Sequence, residues 1–318
     1  MSQINRIDGG LIDQEKVLNF TFNGQILKGC EGDTLASALL ANNKHLIGRS
    51  FKYHRPRGIV TAGSEEPNAI MEIGNGAYKD PNTRATVTQL YNGLEANSQN
   101  HRGPLSFDFM AITDFLSPLL GAGFYYKTFM WPKSFWEKFY EPAIRKSAGL
   151  GTLSTEADPD TYDKGFRHCD ILIIGSGATG LSAALTAAES GAKIILADED
   201  FLMGGRLNSE TNEIDGIAGS EWAKKTVAKL GAMENVTLMT DTTIFGAYDH
   251  GIYGAIENRA SEAREDNDKP RQVNWRIYTK RAILCAGATE RLIAFGNNDR
   301  PGIMLASAVR TYLNRFAV

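Results

Sequence analysis

One stretch constrains this chain more than any other. Residues 171–174 (Ile-Leu-Ile-Ile) form a short all-apolar run, followed by Gly175-Ser176-Gly177-Ala178-Thr179-Gly180, a G-x-G-x-x-G. The run reads as a buried parallel strand. The alanine-rich segment 181–190 reads as a helix, with Gly191 placed to stop it. Residues 193–197 form a second apolar strand ending at Asp198, 23 residues after Gly175. Each part has a job in holding a dinucleotide. Gly175 makes the tight turn, Gly177 lets backbone approach a pyrophosphate, and Gly180 lets helix and strand pack closely. The helix N-terminus offers unpaired N–H groups to phosphate, with Ala178 and Thr179 of the turn also placed at the cofactor. Asp198 is placed to accept hydrogen bonds from both ribose hydroxyls. The motif alone is weak; strand, turn, helix, second strand and acid in register make a Rossmann-like FAD/NAD(P)-binding domain the expectation.

The same stretch could pass for a membrane segment, since residues 171–188 carry no charge. A span needs about 20 predominantly apolar residues. Three glycines, two threonines and two serines interrupt this one, so strand, turn and helix explain it better. No membrane association is expected.

Neighbouring residues refine the cofactor. Asp198-Glu199-Asp200 is a triple acid that would repel a 2′-phosphate, which favours NAD or FAD over NADP. Arg206 lies close enough in sequence to weaken that preference. Gly204-Gly205 reads either as a second backbone loop at the cofactor or as an ordinary turn. Ile244, in a strand-like segment 243–245, is placed for the adenine edge. Segments 251–257 and 273–279 read as a β-pair, and 282–286 as a returning buried strand. That strand ends in Ala286-Gly287, a second dinucleotide signature.

The N-terminal third has another character. An alternating run, 18–22, and segment 25–28 flank Asn23-Gly24, a strong hairpin signal. Asp33 or Thr34 can cap a helix over 35–41, with Asn42-Asn43 ending it. Segments 69–73 and 86–91 read as further strands, giving a small α+β module of ubiquitin or ferredoxin-like type. Between the two lies an aromatic connector with nine rings in residues 124–140. Those rings must bury against the flanking domains or a partner subunit. Segment 154–164 reads as a polar surface loop. The domains expected are 1–96, a connector 97–168, and a dinucleotide domain 169–318.

Composition closes off other classes. Hydrophobic residues are 42% and charged residues 22% of the 318, the balance of an ordinary globular protein. A net charge of −3 argues against nucleic-acid binding. The basic, aromatic segment 49–57 is read as a subunit or interdomain contact. Cys30, Cys169 and Cys285 are too few for a disulfide framework or a four-thiolate metal site. The five histidines show no metal-ligand spacing. The first residues lack a basic-then-apolar signal, so a cytoplasmic protein is expected.

The chain resembles the N-terminal third of the alpha subunits of heterotetrameric sarcosine oxidases. The resemblance rests on RIDGGLID (6–13), GDTLASALLAN (32–42), GRSFKYHRPRGIVTAGSEEPNA (48–69), GFYYKTFMWP (123–132), the dinucleotide unit 169–200 and RPGIMLASAVRTYLNR (300–315). It implies a complex that oxidatively demethylates sarcosine to glycine, forms hydrogen peroxide from oxygen, and passes the one-carbon unit to tetrahydrofolate. It implies NAD in this subunit and FMN or FAD with the partner subunits. Beta, gamma and delta subunits are the implied partners. The folate site would lie in a C-terminal region that this sequence does not contain. No catalytic residue is expected here, and the dinucleotide domain is expected to stop before its last elements, with exposed apolar surface.

Relatives of dehydrogenase type place a [2Fe–2S] ferredoxin module at this N-terminus, with cysteines in C-x4-C-x2-C spacing after the R-P-R-G stretch. The matching positions here are Thr61, Glu66 and Ala69, none of them a thiolate. The expectation is a ferredoxin-like module without its cluster and no metal site. Two alternatives stay open. One is a flavin-dependent dehydrogenase subunit of the hydrogen cyanide synthase, opine or proline dehydrogenase type, with FAD in place of NAD. The other is a non-catalytic assembly scaffold.

Overall fold

The computed structural model describes residues 3–124, 129, 131–148, 151–260 and 268–318. The chain divides into two units. One comprises Met1–Asp158, Glu290–Val309 and Phe316–Val318; the other comprises Pro159–Thr289 and Arg310–Arg315. The division differs from the three segments expected from sequence. Residues 97–158 group with the N-terminal module, and 290–309 return to it, partly because Leu305 N donates to Val60 O at 2.9 Å.

In the first unit, β1 (Asp13–Phe22) and β2 (Gln25–Glu31) form the expected hairpin. Asn23 and Gly24 both adopt positive φ, 49° and 76°, as a two-residue turn of this kind requires. Helix α1 (Leu35–Ala41) is capped by Thr34. Its hydroxyl accepts from Ser37 N at 3.2 Å, and Ser37 Oγ accepts from Thr34 N at 2.9 Å. Strands β3 (Ile70–Ile73), β4 (Asp80–Arg84) and β5 (Leu94–Ser98) complete a sheet ordered β2-β1-β5-β3-β4, with β1 and β5 parallel. The strand expected at 86–91 is not there. Residues 85–87 turn, and the partner of β3 is the polar segment DPNTR, tolerable as a strand because it lies at the sheet edge, where proline costs least.

The aromatic connector is partly described. Tyr125 and Tyr126 lie outside the described residues. Among the others Phe135 and Phe139 pair at 4.9 Å near helix α2 (Glu141–Ala148), yet Trp131 is 83% exposed and Phe139 also faces solvent. The described rings cluster with one another, with Phe124, Phe129, Trp136 and Tyr140 half-buried and Trp131, Phe135 and Phe139 exposed. The basic segment 49–57 is spent inside this unit. Arg49 Nε donates to Leu105 O at 3.0 Å, and His54 Nδ1 lies 2.6 Å from Asp108. Arg55 and Arg57 each reach Asp299 at 2.9 Å. Those acceptors lie far along the chain, so no local pattern announced them.

The second unit is a six-stranded sheet. Its elements are β6 (Tyr162–Ile174), α3 (Ala178–Glu189), β7 (Ile194–Ala197), α4 (Gly219–Gly231), β8 (Val236–Met239), β9 (Thr242–Tyr248), β10 (Ile252–Asn258) and β11 (Gln272–Leu284). The order is β8-β7-β6-β11-β10-β9, with the first four strands parallel. Each face of the parallel strands carries a buried cluster. Ile173, Leu181, Leu196 and Leu230 pack on the helical side, and Leu172, Ile195 and Ile277 on the other. Segments 273–279 and 282–286 are one continuous strand through 284, because β11 follows the equally long β6 along its whole length. Its end is not buried as expected: Leu284 is 75% exposed. The loop assigned to 154–164 likewise ends earlier, since 162–164 already belong to β6. The uncharged stretch 171–188 is split between β6, the glycine turn and α3. Among the described residues no helix is long and apolar enough to cross a membrane.

Candidate functional site

The site grows from the turn between β6 and α3. Gly175 has φ +98°, and a Cβ there would lie 2.5 Å from Cys285 O and 3.2 Å from Ala286 Cα. The first glycine thus lies against the end of β11, where Cys285 N donates to Ile174 O at 2.7 Å. Ala286 therefore abuts the turn, while Gly287 stands open with φ +68°. At Gly180 a Cβ would fall 1.9 Å from Gly175 O, so only glycine lets the helix leave the strand this sharply.

Gly177 differs. Its φ is −65°, and nothing lies within 4 Å of the position its Cβ would take. It begins α3 without a side-chain cap, and Ala178 and Thr179 are exposed. The first N–H groups of a helix lack acceptors within it. Gly205 closes the other side: its Cβ would sit 3.0 Å from Gly177 Cα. The Gly204-Gly205 pair is thus a second backbone loop against the first. It opens the turn Gly205–Asn208, on which Arg206 is exposed.

One residue that sequence reasoning passed over ties these loops together. Ser176 is fully buried. Its Oγ donates to Asp198 Oδ2 at 2.6 Å and accepts from Gly204 N at 3.1 Å. Ser176 N also donates to Asp198 Oδ2, at 2.6 Å, and Asp200 N to Asp198 Oδ1, at 2.9 Å. A carboxylate has about four acceptor directions. With three donors on it, Asp198 retains room for one ribose hydroxyl, not the two expected from sequence. Glu199 is the exposed carboxylate beside it. The detectable signal was a hydroxyl residue inside the glycine motif with an acid at the end of the next strand.

The acidic edge is larger than the sequence triple. Asp241 N donates to Asp200 O at 3.2 Å. Burial, and then the nearby carboxylates of Asp200 and Glu257, push the Asp241 carboxyl up to about 6. Arg315, 115 residues from Asp200, holds that carboxylate at 2.8 Å through Nη2 and lies over the Phe201 ring at 4.9 Å. Ile244 packs onto the core built on Leu172 and Ile195. It follows the anchor of Thr242 N on Asp198 O at 2.8 Å. The structure thus gathers Gly175, Gly177, Gly180, Asp198, Gly205 and Ala286 around one turn. Glu199 and Arg206 are exposed beside it, and Ile244 is a half-buried side chain packed against the neighbouring core. Among the described residues no group of three or more His, Cys, Asp or Glu is arranged to hold a metal.

Comparison with known proteins agrees with this architecture. Residues 15–101 match the family described as 2Fe-2S iron-sulfur cluster binding domain, and residues 170–267 the family described as FAD dependent oxidoreductase. The chain is 56% identical over 97% of its length to a protein of Rhizobium meliloti (strain 1021) named sarcosine oxidase subunit alpha, of which it covers 31%. It is 36% identical over 98% of its length to the protein of that name from Corynebacterium sp. (strain U-96), covering 28% of it. The chain therefore spans about a third of the length of these relatives. The crystal structure of L-proline dehydrogenase from P. horikoshii has the same fold over 98% of this chain and 49% of that one, with a TM-score of 0.61 at 20% identity.

Proposed function

The chain is a homologue of the sarcosine oxidase alpha subunits, corresponding to an N-terminal portion of them, and we propose that it is the part that holds their dinucleotide. The observation that carries this reading is the double glycine cradle: a Cβ added at Gly205 would lie only 3.0 Å from Gly177 Cα, while nothing lies within 4 Å of the Cβ position of Gly177. A pyrophosphate would lie against Gly177 and the N–H groups of Ala178, Thr179 and Gly180, with Arg206 supplying countercharge at the rim. Asp198 and Glu199 would take the ribose hydroxyls, and Ile244 would back the adenine. Ala286 and Gly287 would flank the far side of the turn. The ligand is NAD, with NADP disfavoured by the carboxylates of Asp198, Glu199, Asp200 and Asp241. When bound, NAD supplies a nicotinamide ring able to accept or return a hydride.

The complex built on this chain would convert sarcosine, oxygen and water to glycine, a one-carbon unit at the formaldehyde level and hydrogen peroxide. That unit would pass to tetrahydrofolate. Beta, gamma and delta subunits complete it, flavin sits with those partners, and the assembly is cytoplasmic. No catalytic acid or base is assigned to this chain; its residues bind and assemble.

A second reading is favoured by one finding, the match of residues 170–267 to FAD dependent oxidoreductases. FAD would then occupy the same cradle, in a flavin-dependent amine dehydrogenase subunit. The experiment that separates the two is co-expression of the full-length subunit with its partners. The first reading expects sarcosine-dependent oxygen uptake with peroxide formed. Proline- or opine-dependent dye reduction with no oxygen uptake would overturn it in favour of the second.

A further inference from the structure

Loop 58–69 of the first unit lies within the span matched to the iron–sulfur family and holds the positions at which dehydrogenase-type relatives are expected to carry three cysteines. The residues present do not fit a cluster. Thr61, Glu66 and Ala69 stand at the thiolate positions. Cys30, the one cysteine of this unit, is buried on β2. Thr86, also buried, packs its hydroxyl on the same loop, donating to Gly63 O at 2.7 Å.

What fills the loop is a carboxylate. Glu66 is 1% exposed. Its Oε2 accepts from Val60 N at 3.0 Å, Thr61 N at 2.7 Å and Thr61 Oγ1 at 3.0 Å. Its Oε1 accepts from Asn68 N at 2.8 Å and Ala69 N at 3.0 Å. Both oxygens act only as acceptors, the arrangement of an ionised carboxylate. A buried charge survives only when hydrogen bonds or a counter-ion replace its hydration, and among the described residues no ion pair is formed by Glu66. Backbone N–H groups converging on a buried centre are also what the sulfurs of an iron–sulfur cluster accept from a protein. The loop thus presents donors around an anion, and the anion is its own side chain.

We propose that Glu66 has taken over the structural role of the cluster, holding loop 58–69 closed by an internal carboxylate and leaving the module without an electron carrier. A carboxylate has no redox couple to offer, so this domain positions and assembles but does not relay electrons. The inference stands whether NAD or FAD occupies the second unit.

The test uses the full-length chain. In wild-type protein, amide exchange at Val60, Thr61, Asn68 and Ala69 should be slowed by at least about 100-fold relative to free peptide, as hydrogen-bonded amides in a closed loop are. Free-peptide rates there would overturn the proposal whether or not any variant folds. Protein purified without oxygen should hold no acid-labile sulfide; stoichiometric iron and sulfide would overturn it. Glu66→Gln puts an N–H group where two N–H groups now point at an acceptor. Its urea midpoint should fall by about 1 M, and a wild-type midpoint would overturn the proposal.

Discussion

Gly177 and Gly180 are three residues apart in one motif, yet alanine should do opposite things at the two positions. At Gly180 the new Cβ would fall 1.9 Å from Gly175 O and 2.9 Å from its carbonyl carbon. Ordinary contact is about 3.5 Å, and both obstacles are backbone, so α3 must move off β6 by more than an ångström. Overpacking of this kind costs typically 1–3 kcal/mol, and with no flexible side chain to yield, Gly180→Ala should lie near the top of that range. At Gly177 the Cβ meets nothing within 4 Å, and a φ of −65° suits any residue. Gly177→Ala should therefore keep stability within about 1 kcal/mol of wild type, the loss being only that of a better N-cap residue. Its methyl would instead stand in front of the helix N–H groups and displace a phosphate. Losing one charge-assisted hydrogen bond, worth about 1.5–3 kcal/mol, should weaken NAD binding by roughly 10- to 100-fold. Urea melts and calorimetric titration with NAD measure the two quantities separately. A Gly177→Ala protein that binds NAD like wild type would refute the cradle, and a Gly180→Ala protein as stable as wild type would refute the packing account.

Three further outcomes are expected. Asp241 holds its proton to about pH 6 when folded, against 3.8 for a free aspartate, so the folded state binds more protons between those values. Stability should fall as pH rises from 4 to 6 and level above it, and Asp241→Asn should flatten that profile. The variant should gain roughly 1–2 kcal/mol at pH 7 after discounting for partial solvent screening, and asparagine tolerates the positive φ of 48° found there. Ser176→Ala strips Gly204 N of its acceptor and Asp198 of one donor. It should cost about 1–3 kcal/mol by urea melt and weaken nucleotide binding as the Gly204-Gly205 loop loosens. Asp200→Ala leaves Arg315 without the carboxylate it holds at 2.8 Å. It should narrow the preference for NAD over NADP, measured as the ratio of dissociation constants.

What was legible in the sequence is what is local. The unit 171–198 is contiguous and its order of strand, turn, helix and second strand is as expected; the second strand and the far ends of the first strand and the helix fall within a residue of expectation, while the first strand begins nine residues earlier and the helix three residues earlier. Asn23-Gly24 was equally readable, and the helix cap was narrowed to Asp33 or Thr34, of which Thr34 serves, because a turn or a cap is decided by its own residues. Long-range pairings were not. Nothing in DPNTR announces β4; it becomes a strand because β3 offers an edge. Arg55 and Arg57 looked free for a partner until Asp299, more than 240 residues away, took them. Glu66 was read as a missing ligand, and its positive role appeared only when Val60, Thr61, Asn68 and Ala69 were seen to converge on it. Leu284 shows the reverse, where the end of a strand read as buried is exposed.

That the cradle at Gly175–Gly180 and Gly204-Gly205 holds NAD is tested most directly by what the folded protein carries. The full-length subunit, purified under native conditions and then denatured, should release NAD in stoichiometric amount, identified by mass spectrometry. Release of FAD in its place would contradict the cofactor assigned, and a protein that releases no dinucleotide and binds none when titrated would contradict the site itself.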